Sequence, residues 1–168
     1  MSPPTRKLAL TAHITFSVGW IGAVAAFLAL AVAGFRSPDT GLVRGAYLAM
    51  DLISWWVIVP CNAVALLTGL IGSLGTPWGL TRHYWVLAKL GLTVVGTLIL
   101  LAHLRPIAVM AEVAPELAPG GDEFGRLRIR LIVDAGLALL LLGTTTILGV
   151  LKPWGTTRFG KGRFAADL

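Results

Sequence analysis

Seven ionisable side chains stand inside or at the edge of long apolar runs: His13, Asp51, His83, Lys89, His103, Arg105 and Asp134. Such groups are expensive to take out of water, so each is a candidate for chemistry. They fall into two sets. His13, Lys89 and, at the edge, His83 belong to one end of the apolar runs. Asp51, Asp134, His103 and Arg105 belong to the other.

His13 opens the stretch HITFSVGWIG, with Trp20 seven residues on and Gly19 and Gly22 beside it. An imidazole with an aromatic and small residues nearby suits a flat macrocycle: histidine supplies the metal ligand, and glycine admits a porphyrin close to the helix. The same histidine could instead hydrogen-bond a neighbouring helix. Lys89 can snorkel to the interface, pair with a haem propionate or an acidic substrate, or, stripped of water, act as a general base. Asp51, Asp134, His103 and Arg105 form either a self-neutralising network that pins the helices or an entry site for protons or ions. Copper is a poor match, because copper(I) prefers sulfur ligands and Met50, Met110 and Cys61 are scattered. The single cysteine excludes an internal disulfide and a thiolate cluster.

These residues need elements to position them. The 168 residues are 56% hydrophobic and only 13% charged, against roughly 25% charged in a soluble domain. The apolar runs cover residues 8–34, 46–72, 85–110 and 127–151. Each exceeds the roughly 18–20 residues that cross a bilayer core, and none shows the polar face of a surface helix. The expected fold is an all-α membrane protein, a single domain of four transmembrane helices, with residues 152–168 as a basic tail. The first run is longer than the roughly 7–15 residues of a signal peptide's apolar region, so it reads as an uncleaved span. The net charge of +6 sits at helix ends and is no sign of nucleic-acid binding.

The chain writes one motif twice. Pro77-Trp78-Gly79-Leu80-Thr81-Arg82 follows the second run, and Pro153-Trp154-Gly155-Thr156-Thr157-Arg158 follows the fourth. Upstream, Thr68 and Gly72 match Thr145 and Gly149, and Lys7-Leu-Ala-Leu-Thr11 echoes Lys89-Leu-Gly-Leu-Thr93. The pattern predicts two tandem helical hairpins in one orientation, a parallel internal repeat about an axis along the membrane normal. Each motif copy would stop its helix with proline and anchor it with tryptophan and arginine at the headgroups. Eight Lys/Arg residues then fall at the end carrying both termini and six at the other, which places the termini in the cytoplasm. Residues 114–124, APELAPGGDEF, read as an irregular loop on the far side.

With Lys7 and Lys89 at equal depth, His13 lies about 18 Å in depth from His83 and about 12 Å from His103, at about 1.5 Å per residue. An intrachain bis-histidine haem is therefore disfavoured, and a single-histidine site fits better.

The first-helix His13, Trp20 and Gly22, with Trp85, Lys89 and Leu90 opening the third, resemble the HemJ-type protoporphyrinogen oxidases and their small four-helix bacterial relatives. The copper-resistance membrane domain has a similar first helix. The resemblance covers about the first 105 residues. It implies haem b on His13, with Trp20 and Gly22 beside it, and Lys89 as a residue needed for activity. The third-helix histidine departs from that pattern, since His103 lies fourteen residues from Lys89.

Two functions follow as expectations. One is a haem-b-binding redox protein of porphyrin metabolism in a bacterial-type cytoplasmic membrane. The other is a cofactor-free transporter, or an accessory subunit whose glycine faces pack on a second copy or on a membrane-complex partner.

Overall fold

The computed structural model describes residues 2–75, 80–113, 122–152, 155 and 157. Residues 76–79 and 153–154 of the repeated motif, residues 114–121 of the far loop and the tail from 158 onward lie outside the described residues.

Every described element is a helix. α1 spans Pro3–Arg36, α2 Thr40–Ile53, α3 Val59–Leu74, α4 Tyr84–Val113 and α5 Asp122–Leu151. A π-helical turn, Ser54–Ile58, joins α2 to α3, so Thr40–Leu74 runs as one continuous rod. Four helices are thus long and apolar enough to cross a membrane. Each reaches beyond its apolar run. α1 extends back to a proline at its start, a position where the missing N–H is no loss. α5 begins at Asp122, three residues inside the stretch expected to be irregular.

The turn between α1 and α2 is short and capped. The Asp39 carboxylate accepts from the Gly41 amide at 2.8 Å, a cap of the kind worth about 1 kcal/mol. The π turn has a cause in the sequence. Pro60 cannot donate to the carbonyl of Trp56, and its ring crowds that group. Widening the turn takes up the clash, and the Val59 amide bonds back to the Ser54 carbonyl instead.

α1 is the hub. It packs on α2, α3 and α5, while α4 packs on α5 and on the α2–α3 rod. Its buried residues are Trp20, Ala23, Val24, Phe27, Ala31 and Gly34, spaced by threes and fours along one face. They meet Val43, Tyr47 and Met50 of α2, Ile107 and Met110 of α4, and Leu131, Ala135 and Leu142 of α5 in one core. Where α1 and α2 converge, the position a Cβ would take on Gly34 lies 3.3 Å from the Tyr47 ring. The Thr97 hydroxyl donates to the Asn62 side-chain carbonyl at 3.0 Å and ties α4 to α3.

At the end that holds the start of α1, the two motif copies touch. The Thr157 amide donates to the Arg82 carbonyl at 2.8 Å. Its hydroxyl donates to the Thr81 carbonyl at 2.5 Å.

Candidate functional site

His13 sits on α1, two to three turns from its start, and turns its ring onto α3. Nδ1 lies 3.0 Å from the Ala65 carbonyl and 3.2 Å from the Thr68 hydroxyl. The Thr68 hydroxyl spends its own proton on the Val64 carbonyl at 2.6 Å. Both neighbours of Nδ1 are therefore acceptors. Nδ1 must carry the proton, so in the neutral ring Nε2 is the basic nitrogen. Nε2 has no partner among the described residues.

Gly69 makes this placement possible. A Cβ there would lie 3.1 Å from His13 Cε1, tighter than ordinary van der Waals contact. A second glycine receives Lys89: the place of a Cβ on Gly149 lies 2.8 Å from Lys89 Nζ. The ammonium therefore rests on the bare backbone of α5, half-buried, and has no ion pair or hydrogen bond among the described residues. α1 thus supplies the imidazole and α3 its anchor, while α4 supplies the cation and α5 the glycine that seats it.

The other residues expected near His13 lie elsewhere. Trp20 is buried in the core. Gly22 is nine residues from His13, half a turn around the helix at 3.6 residues per turn. It is exposed, with open space where a side chain would be. Gly19 meets Cys61 Sγ across the α1–α3 contact. His83 lies at the start of α4 with its ring tilted against Trp85, centroids 6.2 Å apart.

At the opposite end, the structure joins His103 to Asp134 and leaves Arg105 out. His103 Nε2 is 2.6 Å from Asp134 Oδ2, and His103 Nδ1 is 2.6 Å from the Ile99 carbonyl. Arg130 Nε stands 3.5 Å from the same carboxylate oxygen. Arg105 is exposed and makes no ion pair among the described residues. Asp51 is half-buried, with Oδ1 buried and unpaired. One turn before it on the same helix, Tyr47 has the Arg128 guanidinium 5.8 Å above its ring. Arg130 and Arg128 were not singled out from the sequence, although Arg130 stands one turn before Asp134 on the same helix.

Between α1, the π turn, α4 and α5 lies an apolar cavity of about 140 Å³. Trp20 and Phe27 form one wall, Ala135 and Ala138 another, and His103 and Asp134 reach it as polar groups.

The chemistry available at the first site is ligation and charge. An imidazole fixed through Nδ1–H to a carbonyl offers Nε2 to a metal, and such anchoring sets ring orientation and basicity. Among the described residues, His13 Nε2 is thus left to ligate a metal and the Lys89 ammonium to pair with a carboxylate. Among the described residues no three His, Cys, Asp or Glu side chains converge. No protein-family model, curated protein or solved structure matches the chain.

Proposed function

We propose that this chain is a multi-pass protein of a bacterial-type cytoplasmic membrane, with both termini cytoplasmic, that binds haem b through His13. The membrane reading is supported by the exterior. Trp56, Leu8, Leu140 and Val150 expose 77%, 70%, 69% and 74% of their surface, apolar area far beyond what a soluble monomer shows. The tandem-hairpin reading is supported by the hydrogen bond from the Thr157 hydroxyl to the Thr81 carbonyl, since these two residues are equivalents in the repeated motif.

The observation that carries the haem reading is the tethering of His13. Its Nδ1–H is committed to α3, and among the described residues its Nε2 has no partner and the Lys89 ammonium no ion pair. A haem supplies an iron that takes one imidazole nitrogen and propionates that take a cation. On this reading His13 ligates, Ala65 and Thr68 orient the ring, and Lys89 holds a propionate. The resemblance to HemJ-type oxidases assigns the same two residues. A redox role in porphyrin metabolism is the activity that the resemblance implies.

The test is the absorption spectrum of detergent-purified protein from haem-replete cells, oxidised and dithionite-reduced. Wild type and His83→Ala should show a Soret band, and His13→Ala should lose it while keeping its size-exclusion profile. Added imidazole should restore the band in His13→Ala. A colourless wild type, or a band indifferent to His13, would overturn the reading.

A further inference from the structure

The cavity between α1, α4 and α5 is separate from the His13 site, and its shape and lining specify a guest. Its volume of about 140 Å³ is close to the roughly 150 Å³ of an apolar cavity that takes one benzene. It therefore suits a single six-membered ring. Trp20 and Phe27 give it an aromatic wall, and Gly96, Ala135 and Ala138 leave room for a flat guest. Ile99 and Leu137 line the cavity and are also 43% and 58% exposed. The cavity therefore opens sideways between α4 and α5, toward the bilayer, so a guest can enter from lipid and leave an aliphatic tail there.

Its polar groups accept hydrogen bonds. Asp134 Oδ2 is taken up by His103 and Arg130, while Oδ1 has no partner among the described residues. The Ser54 hydroxyl donates to the Met50 carbonyl at 2.7 Å and keeps its lone pairs as a second acceptor, on a different helix. A guest with hydroxyl donors on a small ring matches both.

We infer that this cavity binds the ring of a lipid-soluble quinol, with a ring hydroxyl donating to Asp134 Oδ1 and the tail passing between Ile99 and Leu137. The close contacts of Oδ2 with His103 and Arg130 hold that carboxylate at the cavity wall. The inference rests on the membrane reading but not on the haem, because no residue of the His13 pocket lines this cavity.

The experiment is titration of the full chain in lipid nanodiscs with decylhydroquinone, read by isothermal calorimetry, with decylbenzene as the hydroxyl-free control. Wild type should bind decylhydroquinone saturably, at one site per chain, and at least about tenfold more tightly than decylbenzene. That is the loss expected when one hydrogen bond to a charged group goes. Asp134→Asn should remove most of this preference. Ala138→Phe, which fills the cavity, should abolish saturable binding of both probes. Equal binding of the two probes, or saturable binding undiminished in Ala138→Phe, would overturn the inference. Both variants are checked for a single cooperative thermal transition above the titration temperature, and their Soret band should match wild type. A colourless protein that still binds the quinol would sink the haem reading alone, and a coloured one that does not would sink this inference alone.

Discussion

Replacing Gly69 by alanine should loosen His13 without unfolding the protein, and the structure gives the size of the effect. The new Cβ would stand 3.1 Å from His13 Cε1 and 3.5 Å from Nδ1. Reaching comfortable contact requires the ring to withdraw by roughly 0.3–0.5 Å, since carbon pairs sit best at about 3.5–4.0 Å. The ring is tethered at 3.0 Å to the Ala65 carbonyl and at 3.2 Å to Thr68. That retreat takes the second contact past hydrogen-bonding distance and weakens the first, at a net cost of about 0.5–1.5 kcal/mol. Against it stands the gain of about 0.5–1 kcal/mol from alanine over glycine inside a helix. The two nearly cancel, so Gly69→Ala alone should change stability little. Gly45→Ala, with nothing within 4 Å of its new methyl, should show the gain without the cost. The two variants should therefore differ by about 0.5–1.5 kcal/mol, or roughly 1–6 °C for a chain of this length. Thermal unfolding in detergent by circular dichroism reads the difference, and nitrogen-15 spectra of labelled histidine should show the His13 Nδ1 signal moving in Gly69→Ala only. In a His13→Gln background the difference should shrink, because the ring that meets the methyl is gone. Equal stabilisation by Gly69→Ala and Gly45→Ala, with an unmoved histidine signal, would refute the close packing of His13 on α3.

Two more expectations concern the charged groups. Lys89→Met removes a half-buried ammonium with no counter-charge among the described residues, so unfolding temperature should hold or rise. Haem affinity should fall about 10–100-fold through loss of one charge-assisted contact, as read by haem transfer to an apo-globin. At the other end, His103→Leu and Asp134→Leu should each destabilise by about 1–3 kcal/mol. That is discounted from the about 3–5 kcal/mol of a fully buried broken pair because Asp134 is 25% exposed. The double variant should lose less than the sum of the two, and strict additivity in denaturant unfolding would show that the pair is not coupled.

The four long helices were legible because apolar runs of this length leave little choice. Their ends were not, because helices continue past the apolar stretch wherever a cap or a proline start allows, as at Asp39 and Pro3. The levels of the polar groups were legible from rise per residue: His13 and Lys89 fall at one end and His103 and Asp134 at the other. Which of them meet depends on how each helix is rotated, and a weakly amphipathic helix carries little information about that. The glycines held the missing signal. Gly69 and Gly149 mark where a ring and an ammonium approach a backbone, whereas Gly22, alike in sequence, faces outward. Arg105 and Arg130 show the same limit. Both lie near the right depth, and only the one a single turn from Asp134 reaches it.

The π turn at Ser54–Ile58 behaves as a one-residue insertion held in place by Pro60. An α-helix advances about 100° per residue, so the extra residue offsets the two segments of the rod by about that angle. The segment carrying Tyr47 and Asp51 and the segment carrying Ala65, Thr68 and Gly69 are therefore phased independently against their neighbours. One helix can then serve two sites whose orientations a straight helix would lock together. Deleting a single residue from this turn would restore a regular helix and swing one half of the rod away from its partners, whichever half stayed seated.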